Sequence, residues 1–252
     1  MRVTTLRWII PCLLIWLTAC GSGNDHALSQ QADMAPLPTP AHWSVFLLAG
    51  DNSAPVFDNA VTRFQGLLHG PSIGAIHSFS ADGRVAGSDP ATVDNLATAM
   101  DQLPPQADTG CFVFMTSHGN QDGVFLRADL KHQHFLTPTQ LGNLLDATCG
   151  QRPTVAIISA CHSGVFLDDA APNRIILTAA RADRTSFGCG AAFDYTYYDS
   201  CLLDHWPQSR TFVDLYNAVV LCVEDKERQM NVTPSQPQAW FGTAVATLPL
   251  PR

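Results

Sequence analysis

Uninterrupted apolar runs, each closed abruptly by turn residues, dominate the sequence after residue 42. Runs without polar alternation are typical of strands buried on both faces, as in a parallel sheet. Helical patterns lie between the runs, so their order predicts an α/β fold with helices on both faces of a mostly parallel sheet. Five main strands are predicted, at Trp43–Ala49, Gly74–Phe79, Cys111–Thr116, Val155–Ser159 and Ile175–Ala179.

Helix and turn signals separate these runs. Thr137-Pro138-Thr139-Gln140 is a strong helix start, because it joins a capping threonine to proline at the first helical position and to glutamine three residues after the cap. The other predicted elements are helices over Asp58–Leu68 (with Asp58 as its cap), Thr92–Leu103, Tyr195–His205 and Thr211–Arg228, a hairpin of Val124–Arg127 with Lys131–Leu136, and an edge strand within Ala239–Leu248.

The composition indicates the size of the fold and excludes one class of partner. With 252 residues, 46% of them hydrophobic, the chain can bury a full core in one domain or at most two. The net charge is −8 and Lys and Arg form no cluster, so nucleic acid is not expected as a partner. His132-Gln133-His134 is the nearest approach to a metal pair and is more typical of a polar surface hairpin. We expect no metal ion and no other cofactor, and the sequence does not indicate an oligomeric state.

The first twenty residues carry an export signal. Arg2 and Arg7 precede the apolar stretch Trp8–Leu17, which is too short to span a bilayer and is typical of a signal-peptide core. The stretch ends in Leu17-Thr18-Ala19-Cys20-Gly21, which resembles a bacterial lipobox. That resemblance implies cleavage before Cys20 and attachment of lipid to its thiol and its amine. An ordinary secretory signal that contains a cysteine is the alternative.

The predicted organisation has three parts. A lipoprotein signal peptide covers residues 1–19, a flexible tether rich in Ser, Gln, Asn and Pro covers residues 20–41, and the globular domain covers residues 42–252. Gly21, rather than an aspartate, follows Cys20, so retention in the inner membrane is not signalled. We therefore expect a protein anchored by lipid to the outer membrane and facing the periplasm.

Export changes how the other cysteines are interpreted. An oxidising compartment permits disulfides, and an odd number of cysteines leaves at least one unpaired. Cys111 with Cys149, and Cys189 with Cys201, are possible pairs, but the sequence does not fix the connectivity. The five cysteines available for pairing are Cys111, Cys149, Cys189, Cys201 and Cys222.

Two of the predicted strands end on residues that carry chemistry. One is followed by His118 and Gly119, and the other by Cys161. Ligands bind to parallel sheets at the carboxyl ends of the strands. A crossover through one hairpin and one helix would place the second of these strands beside the first. The His118 imidazole would then serve the Cys161 thiol as its base, and the N–H groups of Gly119 and Cys161 would bind a developing oxyanion. Single cysteines are more often small core residues, but Cys161 lies outside its apolar run, in a turn.

The paired motifs resemble those of a known enzyme family. Thr116-Ser117-His118-Gly119 and Ser159-Ala160-Cys161-His162-Ser163-Gly164 are similar to the catalytic motifs of the legumain-like C13 cysteine peptidases, in the caspase-like clan. Leu47–Gly50 and Thr185–Cys189 resemble the flanking first strand and the serine-containing loop, so the similarity covers about Trp43–Trp206. It implies a caspase-like three-layer α/β/α sandwich, and hydrolysis of peptide or protein substrates through a thioester on a dyad of Cys161 and His118.

The resemblance says less about specificity. Ser159 stands where legumain has a glutamate, Ser186 lies in the serine-containing loop, and Asp199 is the closest counterpart of the acid that lines the legumain pocket. On this basis Ser159, Ser186 and Asp199 are predicted to contact substrate, although alignment on Tyr195-Thr196-Tyr197 places Ser200 at the acid position. The arginine–histidine pair that binds asparagine in legumain has no match here, so an asparaginyl preference is not predicted.

Other functions compete with a hydrolase. A catalytically silent lipoprotein that keeps the fold as a binding module would fit the incomplete specificity residues, but the presence of both His118 and Cys161 favours an enzyme. Some members of the family also perform transpeptidation, which the sequence does not separate from hydrolysis. A serine hydrolase using Ser163 is excluded, because Ser163 does not lie in a G-x-S-x-G turn.

Overall fold

A seven-stranded, mostly parallel sheet forms the centre of the computed structural model, which describes residues 35–103, 108–127 and 133–252. The strands are β1 (His42–Ala49), β2 (Ile73–Ser80), β3 (Asp89–Pro90), β4 (Thr109–Thr116), β5 (Gly119–Asn120), β6 (Gly123–Arg127), β7 (Gln133–Leu136), β8 (Thr154–Ser159), β9 (Arg174–Thr178) and β10 (Gln238–Phe241). The central order is β10-β9-β8-β4-β1-β2-β3, and only β10 runs antiparallel to its neighbour. A separate antiparallel sheet of β5, β6 and β7 contains the predicted hairpin.

Helices cover both faces of the central sheet, which is why its inner strands are apolar without alternation. The helices are α1 (Val56–Leu67), α2 (Val93–Met100), α3 (Pro138–Thr148), α4 (Tyr197–His205) and α5 (Phe212–Gln229), with a 3-10 helix at Ser163–Asp169. One core joins α1, α4 and α5 to the sheet, and a second core joins α2 and α3 to its other face. Every residue of β4 and β8 is buried. The predicted α/β/α sandwich is confirmed.

The helix starts follow the predicted signals except at the first helix and at α4, which begins at Tyr197 rather than at Tyr195. Thr137 and Gln140 form the predicted capping box at α3. The Thr137 N–H donates to the Gln140 side chain, and the Gln140 N–H donates to the Thr137 side chain. The first helix begins at Val56, so the prediction that Asp58 caps it was wrong. The Asp58 carboxylate instead accepts a hydrogen bond from the Ser80 hydroxyl at 2.7 Å, across the end of β2. The last strand is also shorter than predicted and ends at Phe241.

Two disulfides connect neighbouring elements. Cys111–Cys149, one of the two pairs considered from sequence, joins the start of β4 to the end of α3. Cys201 does not pair with Cys189 but with Cys222, because α4 and α5 pack side by side and bring these two Cα atoms within 5.8 Å. Cys161 and Cys189 remain free thiols.

Several predictions concern residues outside the described ranges. These are the signal peptide, the lipid site Cys20, most of the tether, Lys131 and His132. The described end of the tether contacts the domain, since the Leu37 N–H donates to the Ala244 carbonyl at 2.8 Å. Within the described part of the chain, no helix combines the length and apolarity needed to cross a membrane.

Candidate active site

The register of β4 and β8 brings the two predicted catalytic residues to one edge of the sheet. These strands are parallel neighbours, and Thr116 lies opposite Ser159 at their carboxyl ends. His118 and Cys161 each follow two residues beyond this pair. The Ser117 N–H extends the ladder by donating to the Ser159 carbonyl at 3.1 Å. The imidazole and the thiol therefore come from matching positions of adjacent strands, at the edge where parallel sheets bind ligands.

Gly119 holds the two loops in close contact. A Cβ atom at this position would lie 2.6 Å from the Cys161 carbonyl oxygen and 3.0 Å from the Cβ of Ala160. No side chain fits into that space without displacing backbone. Glycine is therefore required here by the approach of the loop after β4 to the loop after β8, as well as by any role of its N–H group.

The Cys161 thiol is partly buried and sits against Ser186. The Ser186 N–H donates to Sγ of Cys161 at 3.3 Å, and the Ser186 hydroxyl lies 3.6 Å from the same sulfur. The Cys161 thiol can in turn donate to the Ser186 carbonyl oxygen, which lies 3.6 Å from Sγ. Ser186, which was predicted to contact substrate, thus also contacts the proposed nucleophile directly.

His118 is fixed from behind by an aromatic ring. The centroids of the His118 and Phe57 rings are 5.3 Å apart, and the ring planes meet edge to face. The His118 carbonyl accepts the Phe125 N–H at 2.9 Å, which ties the loop to β6. Both contacts orient the imidazole at the sheet edge without using its polar ring atoms.

A shallow cavity opens beside His118. Its volume is about 270 Å³, and its wall includes His118, Gly119, Asp51 and Arg127. The Arg127 guanidinium lies 5.0 Å from the centre of the Phe125 ring, in a cation–π arrangement. The cavity lies between His118 and the small antiparallel sheet, which supplies Phe125, Arg127 and Phe135 to its wall.

The turn after the nucleophile is held by His162. This residue adopts a left-handed backbone conformation with φ of 59°, which is uncommon outside glycine. Its N–H donates to the Arg184 carbonyl at 2.8 Å, and its Nδ1 lies 2.9 Å from the Ala182 carbonyl. A carbonyl can only accept, so Nδ1 carries the proton in this contact. His162 anchors the loop that carries Ser186.

Two of the predicted substrate contacts lie beneath the site. Ser159 is 2% exposed and Asp199 is 0% exposed, so neither side chain is accessible to substrate in this structure. The Thr116 hydroxyl donates to Oδ2 of Asp199 at 2.6 Å. Burial raises the pKa of Asp199 to about 6, and the nearby hydroxyl groups of Thr116, Ser159 and Thr196 oppose this shift. Of the three residues predicted to contact substrate, Ser186 alone is partly exposed beside Cys161.

Cys189 is a residue of this region that the sequence did not indicate, because it was considered for a disulfide. The pKa of its thiol is raised mainly by burial, and further by electrostatic interaction with Cys161 and Asp51. A second free thiol therefore lies near the first. The sequence feature that could have indicated Cys189 as part of the site is its position three residues after Ser186. The described residues include no group of three or more His, Cys, Asp or Glu side chains suited to hold a metal ion.

Comparison with known proteins agrees with this geometry. No curated protein matches the chain significantly. The model of the peptidase C13 family matches residues 97–243, which is more than half of the chain and includes His118, Ser159, Cys161 and Ser186. The match begins after β1 and extends beyond Trp206, so it covers a different span from the similarity found by motif. The match and the caspase-like sandwich favour a function of the cysteine peptidase type, and the chain belongs to the peptidase C13 family.

Proposed function

We propose that the protein is a cysteine endopeptidase that cleaves peptide bonds with a dyad of Cys161 and His118. The observation that carries the proposal is the shared register of β4 and β8, which delivers both side chains to one edge of the sheet. Family membership supports the reaction class. Two groups that must act together in a single proton-transfer step need such common positioning.

The first half of the reaction forms a thioester. The Cys161 thiolate attacks the carbonyl carbon of the scissile bond, and the electron pair of that carbonyl moves onto oxygen. The N–H groups of Gly119 and Cys161 stabilise the resulting oxyanion. The tetrahedral intermediate collapses when the imidazolium of His118 donates its proton to the leaving amine, so that the C–N bond breaks and the acyl group remains on sulfur.

The second half returns the enzyme to its starting state. Neutral His118 takes a proton from a water molecule, whose oxygen attacks the thioester carbon. Collapse of this intermediate breaks the C–S bond and releases a carboxylic acid, while the thiolate and the imidazolium are restored. An amine in place of water would give transpeptidation by the same steps.

Ser186 supports the nucleophile in this scheme. Its N–H is 3.3 Å from Sγ, and its hydroxyl is also within reach. We propose that it stabilises the thiolate before attack, and that it meets the substrate next to the scissile bond. Ser159 and Asp199, which are buried, would act on the substrate only through the residues above them.

The experiment compares cleavage of a peptide library by the purified full chain and by three variants. Cys161→Ala and His118→Ala are expected to lower kcat by about a thousandfold or more, because each removes one half of the dyad. Cys189→Ser is the matched control: it removes the other free thiol and is expected to leave kcat within twofold. Cleavage that persists in Cys161→Ala would rule out the proposed nucleophile. A wild-type chain that binds peptides but cleaves none would instead indicate the binding module.

The setting of this activity is a separate proposal. We infer that the domain is anchored to the outer membrane through lipid on Cys20 and faces the periplasm. The support is the sequence alone: the apolar stretch before residue 18, the lipobox-like residues around Cys20, and Gly21 in place of an aspartate.

A further inference from the structure

We propose that Asp199 is a positioning residue, which fixes the ends of β4 and β8 and thereby sets His118 against Cys161. The inference rests on the proposed function, because it concerns the same pair of side chains. Asp199 lies in the first turn of α4 and contacts the last residue of β4. Its side chain is completely buried.

The contact with β4 is direct. Oγ1 of Thr116, the last residue of that strand, donates to Oδ2 of Asp199 at 2.6 Å. Hydrogen bonds to an ionised acceptor are short and are stronger than neutral ones. Thr116 lies two residues before His118, so the bond holds the backbone from which the imidazole projects.

The contact with β8 runs through the helix cap. The Thr196 hydroxyl caps α4 by accepting the Asp199 N–H at 3.0 Å, and it lies 3.4 Å from the hydroxyl of Ser159. Ser159 is the last residue of β8 and lies two residues before Cys161. The first turn of α4 thus reaches the matching end residues of both catalytic strands.

The surroundings of Asp199 destabilise the charged form of its carboxyl group. Burial raises its pKa, and only hydroxyl groups oppose that effect: Thr116 from β4, Ser159 from β8 and Thr196 from the cap. No cation from a described residue contributes, and the one titratable side chain that responds to its charge is the neighbouring Tyr198. Oδ1 has no hydrogen-bond partner among the described residues. An unpaired buried charge is destabilising, so a structural role alone would be served better by a neutral side chain.

We expect the hydrogen bond between Thr116 and Asp199 to increase the rate of catalysis. A displacement of about 1 Å between reacting groups costs on the order of a hundredfold in rate. Without the bond to Asp199, the end of β4 would keep its ladder partners and the bonds of the following loop to Phe125 but would lose its support from α4. We expect His118 then to shift relative to the thiol. The loss should appear in kcat, because the substrate-binding surface is not altered.

Thr116 offers a matched pair of variants for the test. Thr116→Val keeps the shape of the side chain and removes the hydroxyl, whereas Thr116→Ser keeps the hydroxyl. We expect Thr116→Val to lower kcat by about tenfold to a hundredfold with KM within twofold, and Thr116→Ser to retain kcat within about threefold. Asp199→Asn should resemble Thr116→Val. Both deficient variants should also slow alkylation of Cys161 by iodoacetamide, measured in a Cys189→Ser background so that Cys161 is the one free thiol among the described residues.

The outcomes separate this inference from the proposed function. If Thr116→Val and Asp199→Asn keep both kcat and the alkylation rate within twofold, Asp199 has no positioning role. If Thr116→Ser loses as much as Thr116→Val, the hydroxyl bond is not the cause, and the inference fails as well. If the wild-type chain cleaves no peptide, the proposed function fails, and the alkylation rates of the Thr116 pair still decide the inference. Should Asp199→Asn not fold, the Thr116 pair gives the answer alone.

Discussion

Because Gly119 has no side chain, the loop after β4 can lie in contact with the loop after β8. The space that a Cβ would occupy is filled by the Cys161 carbonyl oxygen at 2.6 Å and by Ala160. Gly119→Ala must therefore push the loops apart, and we expect kcat to fall by about a hundredfold, together with a loss of stability of about 1–3 kcal/mol. Peptide cleavage and urea denaturation of the same preparation measure the two effects.

The matched control for this prediction is Gly66→Ala, in α1. A Cβ at Gly66 would meet no atom within 4 Å, and the residue is exposed. Because alanine is the better helix former, this variant should be more stable than wild type by up to about 1 kcal/mol, with unchanged kcat. Equal losses in both variants would show that the close approach at Gly119 has no special role.

The ionisation of Asp199 makes stability depend on pH. Its pKa is about 6 in the folded chain and about 4 in an unfolded one. The folded state therefore binds this proton more tightly, so the contribution of Asp199 is most favourable below about pH 4 and is lost as the pH rises through about 6. The full change is on the order of 3 kcal/mol. We expect the stability of wild type relative to Asp199→Asn to fall by up to that amount between about pH 4 and pH 8.

Urea denaturation across this pH range measures the difference between the two chains. The pKa values of Asp58 and Asp169 are also raised to about 6, mainly by burial, but both residues are present in each chain and their effects cancel. Asp204→Asn removes an exposed carboxylate from the same helix and is the matched control for the loss of one negative charge. A constant difference between wild type and Asp199→Asn would mean that Asp199 does not titrate in this range.

At the scale of elements, the strands were predictable because each apolar run of the sequence ends at small or polar residues that also end the strand. An apolar run that stops at Ser117 or at Ala160 leaves little freedom in where the strand ends. The capping box at Thr137 fixes the start of α3 in the same way. Asp58 was misplaced because an acidic residue near a helix start serves equally well as a cap or, as here, as an acceptor for a distant hydroxyl.

The disulfides belong to the same scale, since their pairing depends on which elements pack together. Cys201 and Cys222 meet because α4 lies against α5, a contact that no local pattern specifies. Cys189 and Cys201 are closer in sequence, but Cys189 lies in the loop before α4 and remains a free thiol. The candidate site was affected likewise: His118 and Cys161 followed from strand order, whereas the burial of Asp199 and the nearness of Cys189 to Cys161 depend on tertiary packing.

The Cys111–Cys149 bond should contribute strongly to stability. It closes a loop with a sequence separation of 38, against 21 for Cys201–Cys222. On the chain-entropy model, the two bonds are worth about 4 and about 3 kcal/mol respectively. We expect Cys111→Ala/Cys149→Ala to lower the free energy of unfolding by about 4 kcal/mol in chemical denaturation, and Cys189→Ser, which breaks no bond, to leave it unchanged. A smaller loss than in Cys201→Ala/Cys222→Ala would contradict this ranking.

For the whole molecule, the alternation of buried strands and helices was sufficient to predict the sandwich. A hydrophobic core lies on each face of the sheet. Parallel strands that are buried on both faces have few stable arrangements other than a sandwich between two layers of helices. What the pattern did not contain was the position of α4 over the sheet edge, because that depends on how the irregular residues 179–196 are folded. The family was thus predictable from sequence, while the support beneath the site was not.

The attachment of the whole molecule to a membrane is the last prediction, and it concerns Cys20, outside the described residues. If Cys20 carries lipid, two or more acyl chains bury enough methylene groups for stable anchoring, whereas a chain without them should be released. We expect cells expressing wild type to incorporate labelled palmitate into the protein and to retain it in the outer-membrane fraction. Cys20→Ala should incorporate no label and should keep full activity on short peptides if it is exported, because the dyad lies far along the chain from the anchor. Cys12→Ala, a change inside the predicted signal core, is the control and should still be labelled. Equal labelling of Cys20→Ala and wild type would contradict the lipobox and leave an ordinary secretory signal as the explanation of the apolar stretch.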